Sequence, residues 1–117
     1  SVYRALCELR HPTAEEVREQ VRRLTPAITV ATVYNTLETL VKSGLAEKVF
    51  TLDNKMLFDA DTRPHHHLYD NRTHSISDLS ESGLSDLIRS HIKEMGVLKD
   101  FELQEIKIEL IGHYRQN

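Results

Sequence analysis

Cysteine occurs once in this 117-residue chain, at Cys7, so neither an internal disulfide nor a Cys-x-x-Cys metal knuckle can form within it. Tryptophan is absent and all aromatics together make only 6%, which leaves a modest core for a chain with 39% hydrophobic and 28% charged residues. No apolar run approaches the roughly 18 residues of a membrane-spanning helix. No secretory signal opens the chain, since Ser1-Val2-Tyr3-Arg4 already reads as helix, so the expected location is the cytoplasm. Repeats and low-complexity tracts are missing too. At this length one ordinary domain or two very small ones fit, and a large multi-domain enzyme with a deep cleft does not. The start inside a helix, without methionine, leads us to expect residues upstream.

Strong positive charge is also lacking: the formal net charge is -3. Residues 1–50 nevertheless carry seven Lys/Arg against six Asp/Glu, while residues 51–117 carry eight against twelve, so the acidity sits in the second half. Histidine is plentiful, with seven residues, three of them consecutive at His65, His66 and His67 and internal to the chain.

The spacing of Val2, Leu6 and Leu9 predicts a helix over 1–10 that stops at His11-Pro12, with Cys7 a small buried side chain on or beside the apolar face. Thr13-Ala14-Glu15-Glu16 is a capping box, and Val17, Val21 and Leu24 stripe the second helix up to Thr25-Pro26. Thr29 caps a third helix with Val30, Val33, Leu37, Leu40 and Val41 on one side and Gly44 at its end. Two helices across a tight turn make a helix-turn-helix. Val49–Leu52 and Met56–Phe58 about Asp53-Asn54-Lys55 read as a hairpin, hence a wing.

Residues 61–64, polar and ending in Pro64, read as a hinge between a winged helix-turn-helix domain (1–60) and a small α/β domain (65–117), an α+β chain overall. In the second domain, 65–70 and 73–78 read as strands. Ser82–Met95 reads as a helix with Leu84, Leu87, Ile88, Ile92 and Met95 inward. The alternation of Phe101, Leu103, Ile106, Ile108 and Leu110 predicts a strand over 100–111, with a slip at Gln104-Glu105 read as a bulge. About 50 residues cannot bury enough apolar surface alone, so this domain is expected to pair with a second copy.

The third helix turns Ala31, Thr32, Asn35, Thr36 and Thr39 outward, with Tyr34 at the edge. Asparagine can pair with adenine in the major groove and threonine methyls can pack on thymine methyls. Arg18, Arg22, Arg23, Lys42 and Lys48 would neutralise phosphates. The alternative is a plain solvated face, although Thr and Asn are mediocre helix formers. Paired copies would read palindromic double-stranded DNA with half-sites one turn, about 34 Å, apart.

His65 and His67, two apart on a strand, project from one face as a metal clamp would, with His66 pointing the other way. Asp59 and Asp78 could add oxygens and His11 a third imidazole, although each also reads as a surface charge, a turn former or a helix end. Three imidazoles and two carboxylates without thiolate suit Fe(II) or Mn(II), and Zn(II) could bind as well.

With His11-Pro12-Thr13-Ala14, Ala31-Thr32-Val33-Tyr34-Asn35-Thr36-Leu37, Phe58-Asp59, His65-His66-His67-Leu68 and Asp78, nearly the whole chain resembles the ferric uptake regulator family, in particular its peroxide-sensing PerR branch. The resemblance implies a homodimeric winged-helix repressor, not an enzyme, that binds operator DNA when a metal occupies His11, Asp59, His65, His67 and Asp78. Aspartate at both acidic positions and Asn35 after Tyr34 resemble the peroxide branch, in which iron-catalysed oxidation strikes ligand histidines, here His11 and His65. Hydrogen peroxide would be the only small-molecule reactant, and no membrane is involved.

Donors on both sides of the hinge would tie metal binding to one domain orientation, a coupling typically of about 1–3 kcal/mol. Other readings are an iron, zinc or manganese uptake regulator of the same family, or a small non-haem metalloenzyme. The chain departs from the family where two Cys-x-x-Cys pairs hold structural zinc: Asp70 and Thr73 stand at the first pair and the second falls near Tyr114 and Asn117, so no such zinc is expected. The family's usual N-terminal helix is expected to be missing from this chain, and Pro64 stands where another family metal site has histidine.

Overall fold

Three hydroxyl side chains start three helices in the computed structural model, which describes residues 1–80 and 83–116. The chain divides into two compact units, Ser1–Arg63 and Pro64–Asn117. In the first, Ser1 caps α1 (Val2–Leu9), Thr13 caps α2 (Ala14–Val21) and Thr29 caps α3 (Val30–Lys42), each hydroxyl accepting a backbone N–H that the first turn leaves without a partner. At Thr13 the box is reciprocal: its Oγ1 accepts from the Glu16 amide at 3.2 Å, and Glu16 Oε1 accepts from the Thr13 amide at 3.1 Å. Thr13→Ala is expected to cost about 1 kcal/mol, read as a lower denaturation midpoint at unchanged slope.

Val2, Ala5 and Leu6 of α1, Ala14, Val17 and Val21 of α2, and Val33 and Leu37 of α3 build one core, which Ala46 and Phe58 complete. Three expectations fail here. Cys7 is exposed, because Ala5 and Leu6 take the inward positions and the next residue turns about 100° away. Leu24 is 87% exposed, because α2 ends at Val21: the amides of Leu24 and Thr25 both bond the Val21 carbonyl, tightening the chain ahead of Pro26. Val30, in the first turn of α3, is also exposed.

After Gly44, whose φ of 78° closes α3 in the left-handed region, β1 (Glu47–Phe50) pairs antiparallel with β2 (Met56–Asp59), Glu47 opposite Asp59. The connection turns at Asn54, φ 62°. Helix-turn-helix followed by a two-stranded wing is the expected architecture.

In the second unit β3 (His65–Asp70) is central, with β4 (Ser75–Ser80) antiparallel on one side and β5 (Glu109–Gly112) parallel on the other. Strand β4 starts two residues later than expected, because Thr73 and His74, the latter at φ 61°, belong to the turn. The predicted helix start at Ser82 lies outside the described residues; α4 (Leu84–Met95) follows Gly83.

No residue of α4 is fully buried, and Leu87 and Met95 of the predicted inward face are 69% and 57% exposed. Of the predicted strand 100–111 only the end forms, since pairing needs a neighbour and β3 offers this segment only His67 to Asp70. The expected bulge at Gln104-Glu105 therefore has no ladder to interrupt among the described residues. No helix of the described residues is long and apolar enough to cross a membrane.

Candidate metal ligands and nucleic-acid interface

Proline ends α1 and, in doing so, positions a histidine. Arg10 takes φ 69° before His11, Pro12 is buried, and the Pro12 carbonyl accepts the Phe58 amide at 2.9 Å, which lashes this corner to β2. One residue on, Asp59 is buried with Oδ2 3.3 Å from His11 Nε2. Its Oδ1 accepts the Asp61 amide at 2.9 Å. The imidazole and carboxylate side chains are 9% and 5% exposed, so within the first unit a nitrogen and an oxygen donor lie together out of bulk water.

The second unit assembles three more by strand geometry alone. His65 and His67 lie on one face of β3, their ring centroids 4.7 Å apart, and Asp78 of β4 is the direct cross-strand partner of His67. Asp78 Oδ1 is 3.5 Å from His65 Nε2 and 3.6 Å from His67 Nε2. Both imidazoles are nearly buried and the carboxylate is half exposed.

His66 faces the other way, as its place in the alternation requires, and is buried. Its Nδ1 accepts the Ile108 amide at 3.2 Å, so its proton sits on Nε2, which donates to Ser85 Oγ at 3.2 Å. That is a structural role, joining β3 to the start of α4 and to the approach to β5.

Imidazole nitrogens and single carboxylate oxygens, with no sulfur among them, are the donor set of a borderline divalent ion. His65, His67 and Asp78 each offer an atom within 4.8 Å of the others, close enough to share an ion after small side-chain adjustments.

The exposed side of α3 carries Ala31, Thr32, Tyr34, Asn35 and Thr36. Thr36 Oγ1 donates to the Thr32 carbonyl at 2.9 Å and Thr39 Oγ1 to the Asn35 carbonyl at 3.0 Å. Both hydroxyl protons are thereby used within the helix, which leaves methyl groups, hydroxyl lone pairs and the Asn35 amide to meet a groove. Tyr34 packs edge-on against Phe58, centroids 6.2 Å apart.

Two of the cations singled out as phosphate contacts also have internal partners. Arg18 Nε donates to the Ile28 carbonyl at 3.2 Å, bracing the turn before α3. Lys48 Nζ lies 2.7 Å from Glu38 Oε1, linking β1 to α3; this bond raises the lysine pKa and lowers that of the glutamate. Arg22 pairs with Glu19 in the open, and Arg23 and Lys42 are exposed. Alternation and charge counts carry no sign of the Arg18 brace or the Glu38 pair, which join residues distant in sequence.

Residues 2–111 match the description "Ferric uptake regulator family". The peroxide-responsive repressor PerR of Staphylococcus aureus is 28% identical over 104 residues, which are 87% of this chain and 66% of that protein, so the chain spans just under two thirds of these curated relatives. A Campylobacter jejuni peroxide stress regulator is 24% identical, covers 98% of this chain and 84% of its own, and superposes with a TM-score of 0.78. A zinc uptake regulator complexed with zinc and DNA is 21% identical, covers 97% and 75%, and has a TM-score of 0.65. At these identities the two structures speak for a common fold.

Proposed function

The chain belongs to the ferric uptake regulator family, and on that premise we propose that it is a metal-dependent repressor that releases its operator when hydrogen peroxide oxidises its metal ligands. The observation that carries this reading is the cluster of His65, His67 and Asp78, preassembled on β3 and β4 in a sulfur-free donor set. His11 and Asp59 of the first unit, themselves adjacent, are proposed to complete the ligands.

Fe(II), when bound, supplies the electrons that reduce peroxide, whereas Mn(II) does not. His11 and His65 are the imidazoles proposed to take up oxygen, after which each is a poorer ligand. Because donors come from both units, ligation favours one arrangement of the chain over others, the differential affinity a switch requires. Thr32, Tyr34, Asn35 and Thr36 of α3, with Ala31, are proposed to read the major groove, and Arg18, Arg22, Arg23, Lys42 and Lys48 to meet phosphates. Two copies would pair through the second unit, where α4 leaves Leu87 and Met95 uncovered and residues 101–108 keep a strand pattern.

Likeness to PerR and the aspartates at 59 and 78 support the peroxide reading. The same donors accommodate zinc or manganese, and likeness to a zinc uptake regulator keeps supply sensing as the second reading. Anaerobic gel-shift titrations of the full-length protein, on genomic fragments it selects in Mn(II), separate them. Fe(II) and Mn(II) should each tighten binding about 5–150-fold, with peroxide abolishing only the iron response. Equal survival of both forms in peroxide would favour supply sensing; binding indifferent to every metal would sink both.

A further inference from the structure

Asp70 closes β3 and is buried, an environment a carboxylate tolerates only when hydrogen bonds replace its water. Its Oδ1 accepts the amides of Arg72 at 2.8 Å and Thr73 at 3.1 Å, shaping the β3–β4 turn. Its Oδ2 accepts the amide of Tyr114 at 3.4 Å, from the segment that leaves β5. The same junction is joined twice more: the Asn71 amide donates to the Gly112 carbonyl at 2.7 Å, and the hydroxyls of Ser77 and Tyr114 lie 2.8 Å apart. The Arg72 amide, then that of Thr73, holds the Asp70 carboxyl below its ordinary pKa, with smaller help from the Tyr114 amide and the charge of His113. The charged form is therefore the bonded one.

This is the place where the resembled family puts a cysteine-bound zinc. The described residues there do not fit that ion: no thiolate is present, and both Asp70 oxygens already accept backbone amides. The hydroxyl of Thr73 is bonded to Ser75 and that of Tyr114 to Ser77. Position 117 lies outside the described residues.

We propose that Asp70 is a carboxylate clasp that ties the C-terminal segment to the β3–β4 turn, so that the second unit closes without zinc and without thiols. Such a clasp can be neither chelated away nor oxidised by peroxide, and it holds whether or not the chain senses peroxide.

Amide hydrogen exchange on the full-length, chelator-treated protein tests it. Asp70→Asn keeps one oxygen acceptor for the turn and puts an NH2 where Tyr114 needs an acceptor. Exchange at Tyr114 should then quicken about tenfold or more, with Arg72 and Thr73 much less affected. Asp70→Ala should free all three amides. In the parent, the amides of Arg72, Thr73 and Tyr114 should exchange identically before and after chelation. Faster Tyr114 exchange in the chelated parent, or unchanged Tyr114 exchange in Asp70→Asn, would overturn the proposal.

Discussion

His67→Ala should lower the affinity of the chain for Mn(II) by about 100-fold or more, the upper end of what loss of even a supporting group costs a metal site. His67 has the His65 ring 4.7 Å away and Asp78 Oδ1 3.6 Å from its Nε2, so the alanine removes one donor of three and leaves only His65 and Asp78, 3.5 Å apart. Backbone pairing of His67 with Asp78 and Glu109 does not use the imidazole, so the sheet should survive the change. Titration calorimetry with Mn(II) reads the affinity, and the metal-dependent gain in DNA binding should vanish with it. His91→Ala, on the exposed side of α4, is the matched control and should change neither. An unaltered Mn(II) isotherm in His67→Ala would remove this histidine from the ligand set and, with it, the main support for the regulatory reading.

The largest loss of stability is expected from Phe58→Ala, about 3–5 kcal/mol, out of the roughly 5–15 kcal/mol that holds a typical domain folded. Phe58 is 1% exposed and, among the described residues, is the one aromatic in a core otherwise made of Ala46 and aliphatic side chains from α1, α2 and α3. Its ring also supports Tyr34 edge-on, so the variant should loosen the exposed face of α3 as well as the core. Urea denaturation followed by circular dichroism checks the figure. Phe58→Leu, which keeps most of the volume, should cost less than about 1.5 kcal/mol. Equal, small losses in both variants would mean that the ring carries little of the packing.

The first unit was largely legible because its signals are local. Thr13 with Glu16, Thr29 before an apolar stripe, Gly44 after it and Asn54 in the hairpin each act within four residues of themselves, and each does what its chemistry dictates. The failures there, Cys7, Leu24 and Val30, came from counting periodicity through the end of a helix or one residue off its buried line. In the second unit the same counting read Leu87 and Met95 as inward and 100–108 as strand. An apolar pattern records that a face is to be covered, but not whether this chain or a second copy covers it.

Sequence by itself determined which residues could carry the chemistry: the imidazoles and carboxylates at positions 11, 59, 65, 67 and 78, and the uncharged face of α3, because side-chain type and a period of two or 3.6 are properties of the chain alone. Only the tertiary structure decided what each group does with its neighbours. It set His66 to hold Ile108 and Ser85, Lys48 to hold Glu38, Arg18 to brace Ile28, and Asp70 to grip an amide 44 residues away. Hydrogen bonds between residues remote in sequence depend on where the backbone returns, and no local pattern encodes that.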